Sequence, residues 1–571
     1  MFLPTTAAEL KILGWSTLDI ILITGDTYID SPFIGTALIG KVLAAAGFRV
    51  GIIAQPAVDS DLDITRLGEP ELFWGVSGGS VDSMVANYTA NGRHRRRDDL
   101  TPGEVNDRRP DRAVIAYTNL IRRHFKQTKP IVLGGIEASL RRVAHYDFWS
   151  DSLRRSVLFD AKGDYLMYGM GEKSMVELAV RLQEQKPVEN IRGLCYRGKT
   201  PPADYLELPD YHKVKNDRRH FAEMFRLFYH NQDPRSARGL CQRHGDRYLV
   251  HNPPAFYLSQ AELDRVYALD FERRVHPYYQ KQGRVRALDT IQFSLASHRG
   301  CYGACNFCAI AVHQGQTVRW RSEQSLVDEA KRLGRHPDFK GIITDVGGPT
   351  ANMYGFECHK KTTRGVCTDK RCLHPRICDQ LPVQHCSQIR LLKKLRQLPN
   401  VKQVFVASGI RHDLVLADRK YGDRYLEELV QHHVSGQLKL APEHSEPEVL
   451  ELMGKPAVDL LLEFKKRFDR LSREAGKKQF LTYYLIAAHP GCTMEQMRKL
   501  NHFVRRHLHI RPEQVQIFTP TPSTYSSLMY WTGVNPFSNE TLLVEKNPRA
   551  KEKQKMVLLP APRKNLRKKT H

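Results

Sequence analysis

Three cysteines, Cys301, Cys305 and Cys308, stand within eight residues in the stretch HRGCYGACNFCAI. The whole chain of 571 residues holds 11 cysteines, so this local density needs a chemical reason. Thiolates are soft donors that take zinc or iron–sulfur clusters. A structural zinc site takes four ligands, usually as two pairs. The spacing C-x3-C-x2-C gives three, and His298 and His313 are the side chains that could complete a zinc site. A [4Fe–4S] cluster normally takes four thiolates. Three would leave one iron open, and an open metal position is the mark of a catalytic site. Three buried thiols without metal is the remaining reading, and their density around Gly303 argues against it.

A second concentration follows at Cys358, Cys367, Cys372, Cys378 and Cys386, with His359, His374 and His385 nearby. Lys360, Lys361, Arg364, Lys370 and Arg371 share the segment. The spacings match no tight pair motif. Two readings stay open: a second iron–sulfur or zinc site, or ordinary reduced thiols. A metal here would also fold a loop too polar to pack on its own. Cys195, Cys241 and Cys492 are isolated and read as packing residues.

The elements around these residues alternate. LDIILITG (18–25), RVGIIAQP (49–56), LFWGVSGGS (72–80), PIVLGGIEAS (130–139) and GDYLMYGMGE (163–172) read as apolar strands, separated by helical stretches. That pattern predicts an α/β domain over 1–187 with a doubly wound parallel sheet. Ligands on such sheets sit at the carboxyl ends of strands, which here carry Asp26, Ser77, Gly78, Gly79, Gly134, Gly135 and Glu137. The bland reading of these glycines, closure of tight turns, is favoured, since SGGS lacks the spacing of a phosphate-cradling loop. The pattern loosens over 188–284, a connector region with a boundary near Arg284. A second alternating series then runs through 290–297, 341–348, 402–409, 436–444, 480–491 and 514–522. Six βα units in a row predict a partial (β/α)6 barrel over 285–535, with chemistry at the strand ends. The cysteine triplet follows the first of these strands. The second cysteine group forms an insertion over 354–388, and a basic tail occupies 536–571.

CYGACNFC, with Phe307 in the aromatic place, is similar to the C-x3-C-x-aromatic-C motif of radical S-adenosylmethionine (SAM) enzymes. DVGGPTANMYG resembles that family's glycine pair, here Gly347 and Gly348, which meets the amino group of SAM. Pro349 stands where many relatives carry an acid. ASGIRHD resembles the polar strand end that meets the ribose, through Ser408 and Arg411. LKLAPEH resembles the strand whose end, Glu443, lies near the cofactor. With AAHPGCT, IFTPTPSTYSSLMYWTG and the N-terminal GIEASLRRVAHYDFW, the whole chain resembles the YgiQ-type radical SAM family. The resemblance implies that Cys301, Cys305 and Cys308 hold three irons of a [4Fe–4S] cluster and that SAM chelates the fourth. One electron then cleaves SAM to methionine and a 5′-deoxyadenosyl radical, which takes a hydrogen atom from the substrate. It also implies a reductant partner such as a flavodoxin or ferredoxin. N-terminal sheets ahead of such barrels often resemble cobalamin-binding domains, whose signature is D-x-H-x-x-G. The nearest stretch, DSPFIG, keeps Asp30 and Gly35 but has Pro32 in the place of the cobalt-ligating histidine.

Composition bounds the partners. The net charge is +25, which makes contact with a polyanion such as RNA plausible. The excess is partly local, in the loop GRHRRRDDL (92–100) and in the tail from 548 to 571, which reads as a solvated segment. No basic start followed by a long apolar run opens the sequence, and its apolar runs are strand-length, so a cytoplasmic protein with reduced thiols and no membrane partner is expected. Two other functions are consistent with the residues: a cobalamin-dependent radical methylase, and a non-catalytic iron–sulfur protein that binds nucleic acid.

Overall fold

The computed structural model describes residues 1–512 and 515–559. Nine strands form one sheet: β1 (Ile20–Thr24), β2 (Val50–Ala54), β3 (Phe73–Ser77), β4 (Ile131–Gly134), β5 (Tyr165–Met167), β6 (Leu194–Gly198), β7 (Leu206–Leu208), β8 (Leu240–His244) and β9 (Arg247–His251). Their spatial order is β2-β1-β3-β4-β5-β6-β9-β8-β7. The first five are parallel, as their apolar runs predict. β1 and β2 are buried at every position because both faces are covered. Along β1, Ile21 and Ile23 enter one core, and Ile20 and Leu22 enter the other.

The region 188–284, expected as a connector, instead extends this sheet by four strands. β6 and β9 run antiparallel to their neighbours, and β8 and β9 form a hairpin across Gly245 and Asp246. The looser apolar pattern has a physical cause. These strands are short or lie toward one edge, and β9 begins with the exposed Arg247.

The second half is an open barrel. Ser294–Ala296 pairs in parallel with Asp345–Gly347, and Ile342–Ile343 with Gln403–Val404. A bridge from Ile410 to Leu440 joins the third strand to the fourth. Gln437–Glu443, Phe480–Ala487 and Val515–Ile517 complete six parallel units. Among the described residues no pairing joins the sixth strand to the first, which matches the expected partial barrel. Leu295, Val346, Leu438 and Leu485 pack into its core.

The tail departs from its reading as solvated. Pro548–Met556 is a helix that buries Lys551 and Gln554. Gln554 accepts from the Ala488 amide at 3.0 Å, and Lys551 lies 5.0 Å from the Phe148 ring. Residues 560–571, which hold Arg563, Lys564, Arg567, Lys568 and Lys569, lie outside the described residues. No helix among the described residues is long and apolar enough to cross a membrane.

Candidate functional site

The cysteine loop leaves the first barrel strand through a short hairpin, His298–Arg299 against Arg319–Trp320. Gly300 follows at φ +79°, where a Cβ would lie 2.3 Å from the Thr317 carbonyl oxygen, so only glycine serves the turn. The loop then winds on itself. The Gly303 amide donates to Cys301 Sγ at 3.3 Å, and the Cys308 amide to the Cys305 carbonyl at 3.0 Å. Asn306, which the sequence reading did not single out, is the anchor. Its amide and its side-chain Nδ2 donate to the Met453 and Leu452 carbonyls at 2.9 and 2.8 Å, and Arg371 donates to its Oδ1 at 2.7 Å. The loop is thereby fixed to the helix that follows Glu443 and to the cysteine-rich insertion.

The surroundings of the triplet suit an anionic metal–thiolate centre. Burial pushes the Cys301 thiol up, helped by the neighbouring Cys305, while Thr350, the Gly303 amide and Arg411 pull it back. Burial and the same thiol neighbours push Cys308 up to about 12. Metal binding displaces such protons. Arg411 Nη1 lies 4.0 Å from Cys305 Sγ and pairs with the buried Asp413. Burial would raise Asp413, but Arg411 outweighs it and holds the carboxyl at about 2. Among the described residues no three His, Cys, Asp or Glu side chains converge as a single metal ion requires. For the zinc alternative, His298 has both ring nitrogens committed and His313 has one. His298 binds Ser297 Oγ and the Thr350 carbonyl through its two ring nitrogens at 2.8 and 2.9 Å, and His313 Nδ1 binds Ser139 Oγ at 3.1 Å. Burial lowers both imidazoles to about 4, so they are neutral.

Beside this loop lies a cavity of about 540 Å³. One wall is the carboxyl edge of the N-terminal sheet, including Ser77, Gly79 and Gly135; the other is the barrel, including Gly347, Gly348 and Ser408. The glycines at the sheet edge do more than turn. A Cβ on Gly79, at φ +109°, would lie 2.2 Å from Asp26, and one on Gly78 2.3 Å from Glu137. Asp26 is buried against Arg109 at 2.9 Å, and Glu137 accepts from the Ser83 amide at 2.9 Å. These carboxylates therefore hold the loops, and the cavity wall is built over them. The buried Arg299 of the barrel pairs with Glu172 of the N-terminal half and locks the two walls together.

Of the five residues expected to meet SAM, the structure brings Gly347, Gly348 and Ser408 together on this cavity. The Ser408 hydroxyl donates to Asp345, whose carboxylate also accepts the Ala407 and Ser408 amides at 2.8 and 3.1 Å. Asp345 is a further positioning residue that sequence reading missed, although it opens the quoted DVGG. Gly348 has its own reason to lack a Cβ, which would meet the His298 ring at 2.6 Å. Arg411 stands at the triplet rather than on the cavity wall. Glu443 ends its strand at φ +68°, buried, with Lys455 Nζ at 3.8 Å and off the cavity wall.

Residues 2–294 match the family described as Radical SAM N-terminal, and residues 295–504 match the Radical SAM superfamily. A UPF0313 protein of Fusobacterium nucleatum is 56% identical over 98% of each chain, and one of Thermotoga maritima is 50% identical over 97% of this chain and 98% of its own. The chain belongs to the UPF0313 (YgiQ) family of radical SAM proteins. Among solved structures, the cobalamin-dependent radical SAM enzyme OxsB with aqua-cobalamin bound matches at a TM-score of 0.50 and 11% identity, covering 90% of this chain and 55% of that one. The radical SAM methyltransferase TsrM from Kitasatospora setae, with cobalamin and a [4Fe–4S] cluster bound, matches at 0.46 and 16%, covering 90% and 78%. By its membership of the Radical SAM superfamily, this UPF0313 protein is a radical SAM enzyme with a [4Fe–4S] cluster and SAM as cofactors.

Proposed function

We propose that this UPF0313 protein cleaves SAM reductively at a cluster held by Cys301, Cys305 and Cys308, and takes a hydrogen atom from a substrate seated in the 540 Å³ cavity. The observation that carries the reading is the cavity itself. It lies at the strand ends of both halves, and its barrel wall bears the glycine pair that ends the strand beside the one leading into the cysteine loop. When bound, the cluster supplies the electron that cleaves the sulfonium of SAM. The chain's own residues do the rest. Asn306 and Arg371 fix the loop, Arg411 sets a positive charge beside the thiolates, and the sheet edge supplies the cavity's second wall. An anionic substrate such as RNA is supported by the surface. The exposed Arg93, Arg95, Arg96 and Arg97 of the basic loop lie on the chain next to Asn91, whose side chain bonds Glu552 of the C-terminal helix at 2.7 Å. A low-potential flavodoxin or ferredoxin is the proposed electron donor. The test is the electron paramagnetic resonance spectrum of the dithionite-reduced protein with and without SAM. A changed cluster signal on adding SAM is expected, and an unchanged one would refute the reading.

A second reading, a cobalamin-dependent radical methylase, rests on one observation. Pro32, Phe33 and Gly35 of DSPFIG line the same cavity, while Asp30 is spent on Lys41 at 3.1 Å. A corrinoid there would have no ligand from position 32. Corrinoid absorption from protein reconstituted with hydroxocobalamin would support it, and its absence would count against it.

A further inference from the structure

The cysteine-rich insertion holds a second group of thiols that the SAM site does not use. From Arg364 to Cys386 the chain runs without a helix or strand, yet it is packed against the body. Such long structureless segments inside a compact domain call for something other than backbone pairing to order them. Four of its five cysteines, Cys358, Cys367, Cys372 and Cys378, line one small cavity of about 30 Å³. All four are free thiols. The Cys378 amide donates to the Cys372 carbonyl at 2.9 Å and draws the segment back over this cavity. Cys386 is not on its wall; its thiol donates to Gln384 at the start of the next helix. The histidines are absent from the wall too, and His385 is held by Asp418 at 2.9 Å.

A charge argument points the same way. Lys361 is only 4% exposed and lines the same cavity. Among the described residues no carboxylate lies within ion-pair distance of it. Its ammonium donates to the Gln316 carbonyl and, at 3.4 Å, to Cys372 Sγ, and it sits 5.1 Å from the Tyr302 ring. A buried cation without an anion is costly. Thiolates on a metal centre would supply the missing negative charge. Arg371, on the same wall, likewise finds Asn306 and the Tyr525 and Phe537 rings rather than a carboxylate.

We propose that Cys358, Cys367, Cys372 and Cys378 bind a second [4Fe–4S] cluster, distinct from the one at the triplet. An all-thiolate set selects iron–sulfur or zinc. Four thiols with no histidine on the wall are assigned here to the cluster, and the iron and zinc counts below separate the two. Tyr302 and Ala304, which belong to the triplet loop, line the same cavity, so the second centre backs directly onto the first loop. This inference stands whether or not SAM is cleaved.

The test is iron and acid-labile sulfide per full-length chain, purified anaerobically with its clusters. The wild type should carry about eight irons, and the triple variant Cys301→Ala/Cys305→Ala/Cys308→Ala should keep about four, as two four-iron clusters require. Cys372→Ser/Cys378→Ser should also fall to about half while keeping the signal that SAM perturbs. About four irons in the wild type, no iron in the triple variant, or one zinc per chain at the insertion would each overturn the proposal. The wild-type count decides the matter even where a variant fails to fold.

Discussion

Gly348→Ala tests whether the barrel wall of the cavity is packed as tightly as the geometry states. The new Cβ would lie 2.6, 2.7 and 2.8 Å from three atoms of the His298 ring. That ring is 2% exposed and is bonded at both nitrogens, to Ser297 and to Thr350. It has no free direction in which to move. Overpacking of this kind costs about 1–3 kcal/mol, and each hydrogen bond lost in the shift adds about 1 kcal/mol. A total of about 3 kcal/mol corresponds to a fall of about 6–12 °C in the apparent melting temperature of a domain of 150–250 residues. Scanning calorimetry of Gly348→Ala, His298→Ala and the double variant reads the effect. The ring is the obstacle, so the double variant should be no less stable than His298→Ala alone, a coupling of about 3 kcal/mol, the whole cost of Gly348→Ala. Additive losses would show that the alanine strains something other than His298 and would refute the reasoning. SAM-dependent change in the cluster signal should fall with Gly348→Ala and return in the double variant only if the cavity, not the imidazole, is what SAM needs.

Arg411→Met would leave Asp413 buried without its cation and should cost about 3–5 kcal/mol, whereas Arg411→Met/Asp413→Leu should recover most of the loss; equal melting temperatures for the two variants would contradict the pairing. Asp147 gives a pH prediction. Burial opposes its charge, but the Ser150 hydroxyl, Arg141 and Arg112 hold the carboxyl at about 2 against an ordinary 3.8. A carboxyl lowered on folding contributes stability above pH 4 that is lost as pH falls toward 2, about 2 kcal/mol here. The acid limb of the melting temperature should therefore flatten in Asp147→Asn, and an unchanged slope between pH 4 and 2 would refute the assignment.

Legibility followed burial. β1 to β4 were readable because both faces are covered and their residues form unbroken apolar runs such as Ile20–Thr24. The triplet was readable because three thiols in one loop have few uses. The strands from β6 to β9 were not recognised as a continuation of the sheet, since three-residue β7 carries no alternation to read. The hairpin between β8 and β9 did leave a signal, a glycine–aspartate pair whose Gly245 takes φ +70°. The cavity was invisible in sequence because its walls come from two halves that meet only through docking, with Arg299 reaching Glu172. The grouping of four insertion cysteines was equally hidden, because a coil without secondary structure brings together thiols at irregular spacing. Arg411 was placed at the ribose by its motif position, but the buried Asp413 draws it toward Cys305.

The most direct measurement is formation of 5′-deoxyadenosine. Wild-type protein with its clusters intact, mixed anaerobically with SAM and dithionite, should give the nucleoside by mass spectrometry, and Cys305→Ala should give none. Equal product from both, or no product from a fully loaded wild type whose cluster signal is also indifferent to SAM, would contradict SAM cleavage at Cys301, Cys305 and Cys308.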